Sequence, residues 1–318
     1  MGTQCGAVAG PCCSRPRRSV VILGGTDAIF DLSASNQPED MKNKVTELKK
    51  TGNAATNKKN TAVLYDIPPH PQSVKQIGFC EEPNVRFRRT MEDAHCIFDN
   101  VTGDGTVGYY GIYDGHGGRD AVDFTAENFH LNLVELLKQQ VPLPEILRKA
   151  HLITDQQLGE RNILYNGTTT ATLLVTSTKL YSANAGDARS VLFRGESAIR
   201  ITRDHKASDK AEADRIREAN GFVAMGRVNG VLSVARALGD HAMKEYVTGD
   251  PYMEVLDRVA EDKFVILACD GLWDVMSDEA ACRLVAGEST ASAMANKLVQ
   301  QAVKLGSTDN ISVMVLVF

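Results

Sequence analysis

At 318 residues, with 43% hydrophobic and 24% charged residues, the chain has an ordinary globular composition and material for a large core. A formal net charge of −5 disfavours nucleic acid as the main partner, because phosphate backbones reward basic surfaces. No apolar run reaches membrane-spanning length, and seven cysteines without a regular framework fit reducing conditions better than a secreted disulfide scaffold.

Residues 1–70 read as an N-terminal extension, partly disordered, ahead of a domain over 71–318. The first ten residues lack the basic start and apolar stretch of a cleavable signal peptide. Gly2 follows the initiator Met and Cys5 lies three residues on, the layout of N-myristoylation with nearby palmitoylation, although Gly6 stands where Ser or Thr is usual. Cys12 and Cys13 offer further acylation sites, beside a basic cluster of Arg15, Arg17 and Arg18. The expectation is a cytoplasmic or nuclear protein, held peripherally at a membrane if Gly2 and Cys5 are acylated; the alternative is a disordered tail with free cysteines. Residues 20–23 are apolar enough for an extra strand. Met41, Val45 and Leu48 are spaced for a short helix inside a polar linker over 33–60.

From about residue 72 the texture changes. Residues 74–80 and 96–98 predict strands, separated by the arginine-rich stretch Arg86-Phe87-Arg88-Arg89-Thr90-Met91-Glu92-Asp93. An aromatic, β-branched run over 109–113 ends at Asp114-Gly115-His116-Gly117-Gly118, where the glycines permit a sharp turn. Val122, Ala126, Phe129, Leu133 and Leu136 then recur at helical spacing. Residues 171–176, 180–183 and 190–193 read as short strands joined by tight turns, hence antiparallel. A charged helix over 211–219 closes at Asn220-Gly221, and the Gly- and Arg-rich stretch 225–250 is expected to include irregular surface loop. The strand-to-Asp-Gly device recurs at 264–269, which ends in Asp270-Gly271. Ser277 caps the next helix, and Met294, Leu298, Ala302 and Leu305 predict the last one, stopped by Gly306. Asp309-Asn310 opens the final apolar run over 311–317, and the chain ends directly after it at Phe318. Strands and helices grouped in this way predict an α+β fold of antiparallel sheets covered by helices.

One Asp-Gly pair after a strand is ordinarily only a turn. Three aspartates at the ends of core strands, Asp114, Asp270 and Asp309, can instead converge on one point, and oxygen ligands in that number suit Mg²⁺ or Mn²⁺.

At these residues the chain resembles the metal-dependent serine/threonine protein phosphatases of the PP2C (PPM) family. The matching stretches are Arg88-Arg89-Thr90-Met91-Glu92-Asp93-Ala94-His95, Tyr113 to Gly118, Gly167 to Ala171, Asn184 to Arg189, Arg236 to Asp240, Cys269 to Asp274 and Asp309 to Ser312, in family order from about residue 74 to 318. What the resemblance implies is a sandwich of two packed antiparallel sheets flanked by helices, probed by phosphoprotein substrates at a cleft that holds two Mn²⁺ or Mg²⁺ ions. Asp114 is then the bridging ligand with the Gly115 carbonyl beside it; Asp270 and Asp309 serve one ion, and Glu92 the other, directly or through water. A hydroxide shared by two ions can attack phosphorus in line without a protein nucleophile. Arg88, four residues before Glu92, matches the phosphate-binding arginine, preferred by register over Arg86 and Arg89; a guanidinium holds two phosphate oxygens bidentately. His116 is the candidate general acid for the departing serine or threonine oxygen. Asp187 and Asp274 match positions where some members hold a third, weaker ion, and read equally well as turn and helix-start carboxylates. The C-terminal helices of some relatives are expected to be absent, and a monomer is expected.

Three rivals follow from the same residues. Cys80 and Arg86 have the spacing of a cysteine-dependent phosphatase loop, but Glu81 and Glu82 would repel phosphate and Pro83 removes a backbone donor. A pseudophosphatase acting as a binding module would have lost a metal aspartate. A phosphatase of non-protein phosphoesters would keep the same metals, since substrate preference lives in loops.

Overall fold

The computed structural model describes residues 67–318. The expected strand at 20–23, the helix around Met41 to Leu48 and the acylation sites lie outside the described residues.

Two antiparallel sheets lie face to face. The first runs β1 (Gln76–Glu82), β13 (Ile311–Val317), β12 (Asp262–Ala268), β6 (Arg189–Arg194) and β7 (Ser197–Arg200) in spatial order. The second runs β11 (Tyr252–Asp257), β5 (Lys179–Ala185), β4 (Gly167–Thr176), β3 (Val107–His116) and β2 (Asp93–Phe98), with the short β10 (Leu238–Gly239) paired to the start of β4.

The alternation of side chains explains the layering. Val265 and Leu267 of β12 and Leu316 and Met314 of β13 meet Tyr110, Ile112, Leu173 and Val175 in a core between the sheets. The intervening residues Phe264, Ile266, Ala268, Val313 and Val315 face the other way, into a second core with the helices α4 (Asp270–Trp273), α5 (Asp278–Val285) and α6 (Ala291–Lys304). On the opposite side Tyr109, Tyr113 and Leu174 pack under α1 (Asp120–Lys138) and α2 (Leu143–Glu160). A strand buried on both faces has no polar side, so 264–269, and 311–317 apart from the buried Ser312, read as continuous apolar runs although their pairing is antiparallel. The α+β sandwich of two sheets flanked by helices is therefore the fold observed.

Helix ends follow local chemistry. Ser277 accepts from the Ala280 amide and Thr290 from the Ala293 amide, and α3 (Lys210–Glu218) starts on Asp209, which accepts from the Ala211 and Glu212 amides. The stretch expected to include irregular loop is partly ordered around its own small core of Ala207, Ile216, Val228, Val234, Ala235, Ala237 and Val247, with a two-residue hairpin of β8 (Val223–Ala224) and β9 (Arg227–Val228). Among the described residues no helix is long and apolar enough to cross a membrane.

Candidate active site

The site forms where strand ends of both sheets meet. Asp93, the first residue of β2, is the register partner of Asp114 near the end of β3. Side chains directly opposite on antiparallel strands share a face, and like charges there repel. Asp93, Asp114 and the Cys269 thiol each offer a ligand atom within 4.8 Å of the others. Asp270 opens α4 immediately after Cys269, and Asp309 lies just before β13.

Close backbone contacts hold these ends together. The Gly115 amide donates to the Glu92 carbonyl at 3.1 Å, and a Cβ on Gly115 would come within 2.6 Å of that oxygen. The lack of a side chain at Gly115 thus has a steric reason: Glu92 and Val122 leave no room for one. At Gly271 a Cβ would meet the Asn310 carbonyl oxygen at 2.0 Å. Asn310 staples the strand ends: its Oδ1 accepts from the Glu92 amide at 2.9 Å and its Nδ2 donates to the Pro83 carbonyl at 2.7 Å. Asn84 donates to the Ser307 and Asp309 carbonyls, and Arg119 donates to those of Met91 and Asp93 while pairing with Asp123.

The electrostatics of this cluster call for positive charge. Burial, then the neighbouring Asp270, Asp93, Asp187 and Asp309, push the Asp114 carboxyl well above the usual range. Burial and then Asp187 and Asp309 do the same to Asp270. Asp93 is raised to about 6, chiefly by burial, and its Oδ2 is buried without a hydrogen-bond partner. An orphaned carboxylate oxygen beside mutually repelling carboxylates fits a hard divalent cation bound through oxygen. Cys269 adds no thiolate: its sulfur accepts from the Ser312 amide at 3.1 Å, and burial drives the thiol well above its ordinary range.

The remaining candidates sit around this cluster. Arg88 forms an ion pair with Asp309, which places the guanidinium at the rim, partly open to solvent. Glu92 presents its backbone to Asn310, and its carboxylate Oε1 accepts from Thr90 at 3.4 Å. His116, the last residue of β3, has Nε2 2.7 Å from Oδ2 of the buried Asp240. Between Asp187 and Asp274 stands the Lys206 ammonium, 2.7 Å from Asp274 and 3.9 Å from Asp187. Burial raises Asp187 to about 6 despite that lysine. Cys80 lies inside β1, paired with Val313, rather than at the start of a phosphate-binding loop.

Two residues had no individual role from sequence. Asp93 is adjacent to Glu92, and only the β2–β3 register shows that it opposes Asp114. Asp240 is 124 positions from His116. It ends the matching stretch Arg236 to Asp240, but a Gly-Asp pair before a polar turn resembles any other turn and names no role for the carboxylate.

Strand-end carboxylates, with Asp93 buried, Asp114, Asp270 and Asp309 half-buried and a guanidinium at their rim, form on a four-layered α-β-β-α sandwich an acidic cluster that could bind a metal ion. Residues 77–311 match the family described as Protein phosphatase 2C. The chain is 35% identical over 277 residues to Protein phosphatase 2C homolog 1 of Saccharomyces cerevisiae, covering 81% of this chain and 99% of that one. It is 36% identical over 273 residues to Protein phosphatase 2C homolog 1 of Schizosaccharomyces pombe, covering 82% and 78%. Among solved structures it is similar to a C. elegans sex determining protein, with TM-score 0.70 and 25% identity over 88% of this chain and 71% of that one. A phosphatase from a pathogenic strain of Toxoplasma gondii shares the fold at TM-score 0.67 and 21% identity, over 76% and 91%. This chain belongs to the protein phosphatase 2C family.

Proposed function

We propose that this chain hydrolyses phosphoserine and phosphothreonine in proteins at the cluster of Asp93, Asp114, Asp270 and Asp309. The chain is a protein serine/threonine phosphatase by family, and the family is metal-dependent. The observation that carries the site assignment is the pairing of the buried Asp93 against the half-buried Asp114 beside Asp270, a concentration of carboxylates that repel one another.

Asp114, the Gly115 carbonyl, Asp270, Asp309, Glu92 and Asp93 would hold two Mn²⁺ or Mg²⁺ ions. When bound, the ions supply Lewis acidity toward the phosphate and the attacking water. Arg88 binds two phosphate oxygens from the rim, a role supported by its position beside Asp309. His116 gives a proton to the departing serine or threonine oxygen. A third cation at Asp187 and Asp274 would have to displace the Lys206 ammonium, which accords with weak occupancy. Acylation of Gly2 and Cys5 would bring a monomeric catalytic domain to the cytoplasmic face of a membrane; mass spectrometry of the native N-terminus tests it, an unmodified Gly2 pointing to a soluble enzyme.

The decisive experiment compares phosphoserine, phosphothreonine and phosphotyrosine peptides and a small phosphoester with Mn²⁺, with Mg²⁺ and with EDTA. Turnover of the first two with either ion, lost in EDTA and in Asp270→Ala, is the expected result. Full turnover in EDTA would overturn the metal assignment, and a preference for the small phosphoester would overturn the protein substrate.

A further inference from the structure

Among the described residues the buried carboxylate of Asp240 has a single basic partner. Its side chain is 3% exposed, and among the described residues His116 is the only one with which it forms an ion pair. A carboxylate out of water is costly unless it meets positive charge or hydrogen-bond donors. The contact is direct, Nε2 to Oδ2 at 2.7 Å.

The backbone is shaped to make that contact. His116 pairs with Gly167 across β3 and β4, and Gly239 pairs with the same Gly167 across β10 and β4. The imidazole and the carboxylate therefore meet above one glycine. A Cβ there would fall 2.1 Å from Asp240 Oδ2 and 2.5 Å from His116 Nε2. Asp240 adopts a left-handed backbone, φ +51°, rare for a residue with a side chain. Its amide donates to the Asn166 carbonyl at 2.9 Å. The preceding Gly239 amide donates to Asp155 of α2 at 2.8 Å, and Lys244 donates to the same Asp155 oxygen at 2.9 Å. Helix α2 thus fixes the turn, and the turn fixes the carboxylate.

We propose that Asp240 is a positioning residue for His116. Its carboxylate accepts the Nε2 proton, sets the orientation of the ring, and leaves Nδ1 to deliver the proton to the departing alcohol. In that step the Nδ1–H bond breaks as an O–H bond forms on the serine or threonine oxygen. That oxygen's bond to phosphorus breaks in the same step, and the imidazole is left neutral, keeping its Nε2 proton hydrogen-bonded to the Asp240 carboxylate. The proposal rests on the reading of His116 as general acid.

The test is a double-mutant cycle of Asp240→Asn and His116→Ala on the full chain with Mg²⁺, with a phosphothreonine peptide and p-nitrophenyl phosphate as substrates. Asparagine tolerates the left-handed backbone, so the turn is kept. Asp240→Asn should lower kcat on the peptide by about 10–100-fold with KM little changed, and far less on p-nitrophenyl phosphate, whose leaving group hardly needs a proton. In the His116→Ala background it should add nothing, because its route to the reaction is gone. Losses that multiply would overturn the proposal while leaving His116 as the acid. Equal loss on both substrates in His116→Ala alone would instead remove the general-acid reading. A measurement without variants stands beside the cycle: in ¹⁵N-labelled wild type with Mg²⁺, the neutral His116 ring should carry its proton on Nε2, and a proton on Nδ1 would overturn the proposal.

Discussion

Asp114 shows most clearly how one residue is held against its own stability. It faces Asp93 across two strands and is crowded by Asp270, so the metal-free cluster repels itself. Asp114→Asn keeps the shape and removes one of the repelling charges. The variant should lose turnover, yet its metal-free form should melt about 2–4 °C higher, the shift that roughly 1 kcal/mol gives in a domain of this size. It should also lose the rise in Tm that Mn²⁺ gives the wild type. Thermal melts with and without Mn²⁺ check this; a variant that melts lower without metal, or still gains from it, would show that Asp114 is not at the cation site.

Elements contribute to this site mainly through their ends. Strand β13 and the segment before β2 come from opposite ends of the domain, and Asn310 joins them by bonding the Glu92 amide and the Pro83 carbonyl. Asn310 is itself buried, so removing it leaves those groups short of partners in a place water reaches poorly. Asn310→Ala should cost about 1–3 kcal/mol of stability, the usual penalty for unpaired buried polar groups. Because the loop it holds carries Glu92 and Asp93, cation affinity should also fall about 10–100-fold, as when supports of metal ligands are removed. Denaturant melts and calorimetric titration with Mn²⁺ read the two effects separately. Loss of stability with unchanged affinity would mean that the staple serves the fold alone.

At the scale of the whole molecule, two sets of buried groups pull the pH dependence in opposite directions. Asp93 and Asp187 are raised from 3.8 to about 6, so their contribution to stability is present below about 4 and is lost as pH rises through 6. His95, His130, His151 and His205 are lowered by burial from 6.5 to about 4; their contribution is present above 6.5 and is lost as pH falls through 4. A divalent cation competes with protons for the carboxylates and leaves these histidines untouched. The rise in Tm given by saturating Mg²⁺ should therefore be small at pH 5 and grow up to pH 7, while the acid-side loss below 6.5 persists with or without the ion. A cation effect that did not change over that range would separate the stabilisation from the carboxylates.

The apolar runs 264–269 and 311–317, the helix face from Val122 to Leu136 and the caps at Ser277 and Gly306 follow from local pattern, and the structure keeps them. So do the strand-end aspartates, because a carboxylate and glycine terminating an apolar run are a local signal. Helix α2 is only weakly marked in the sequence, although Ile146, Leu147, Ala150 and Leu158 carry helical spacing, and without it the anchor Asp155 for the Asp240 turn is invisible. Strand β11 has mixed burial at a sheet edge, so its side chains show little contrast to read. What the tertiary structure alone decided is register and approach: that Asp93 opposes Asp114, that Lys206 spans Asp187 and Asp274, and that Asp240 meets His116 over Gly167. Residue type and spacing set which groups a segment can offer, but contacts between distant segments depend on strand pairing and loop closure, which local propensity does not encode.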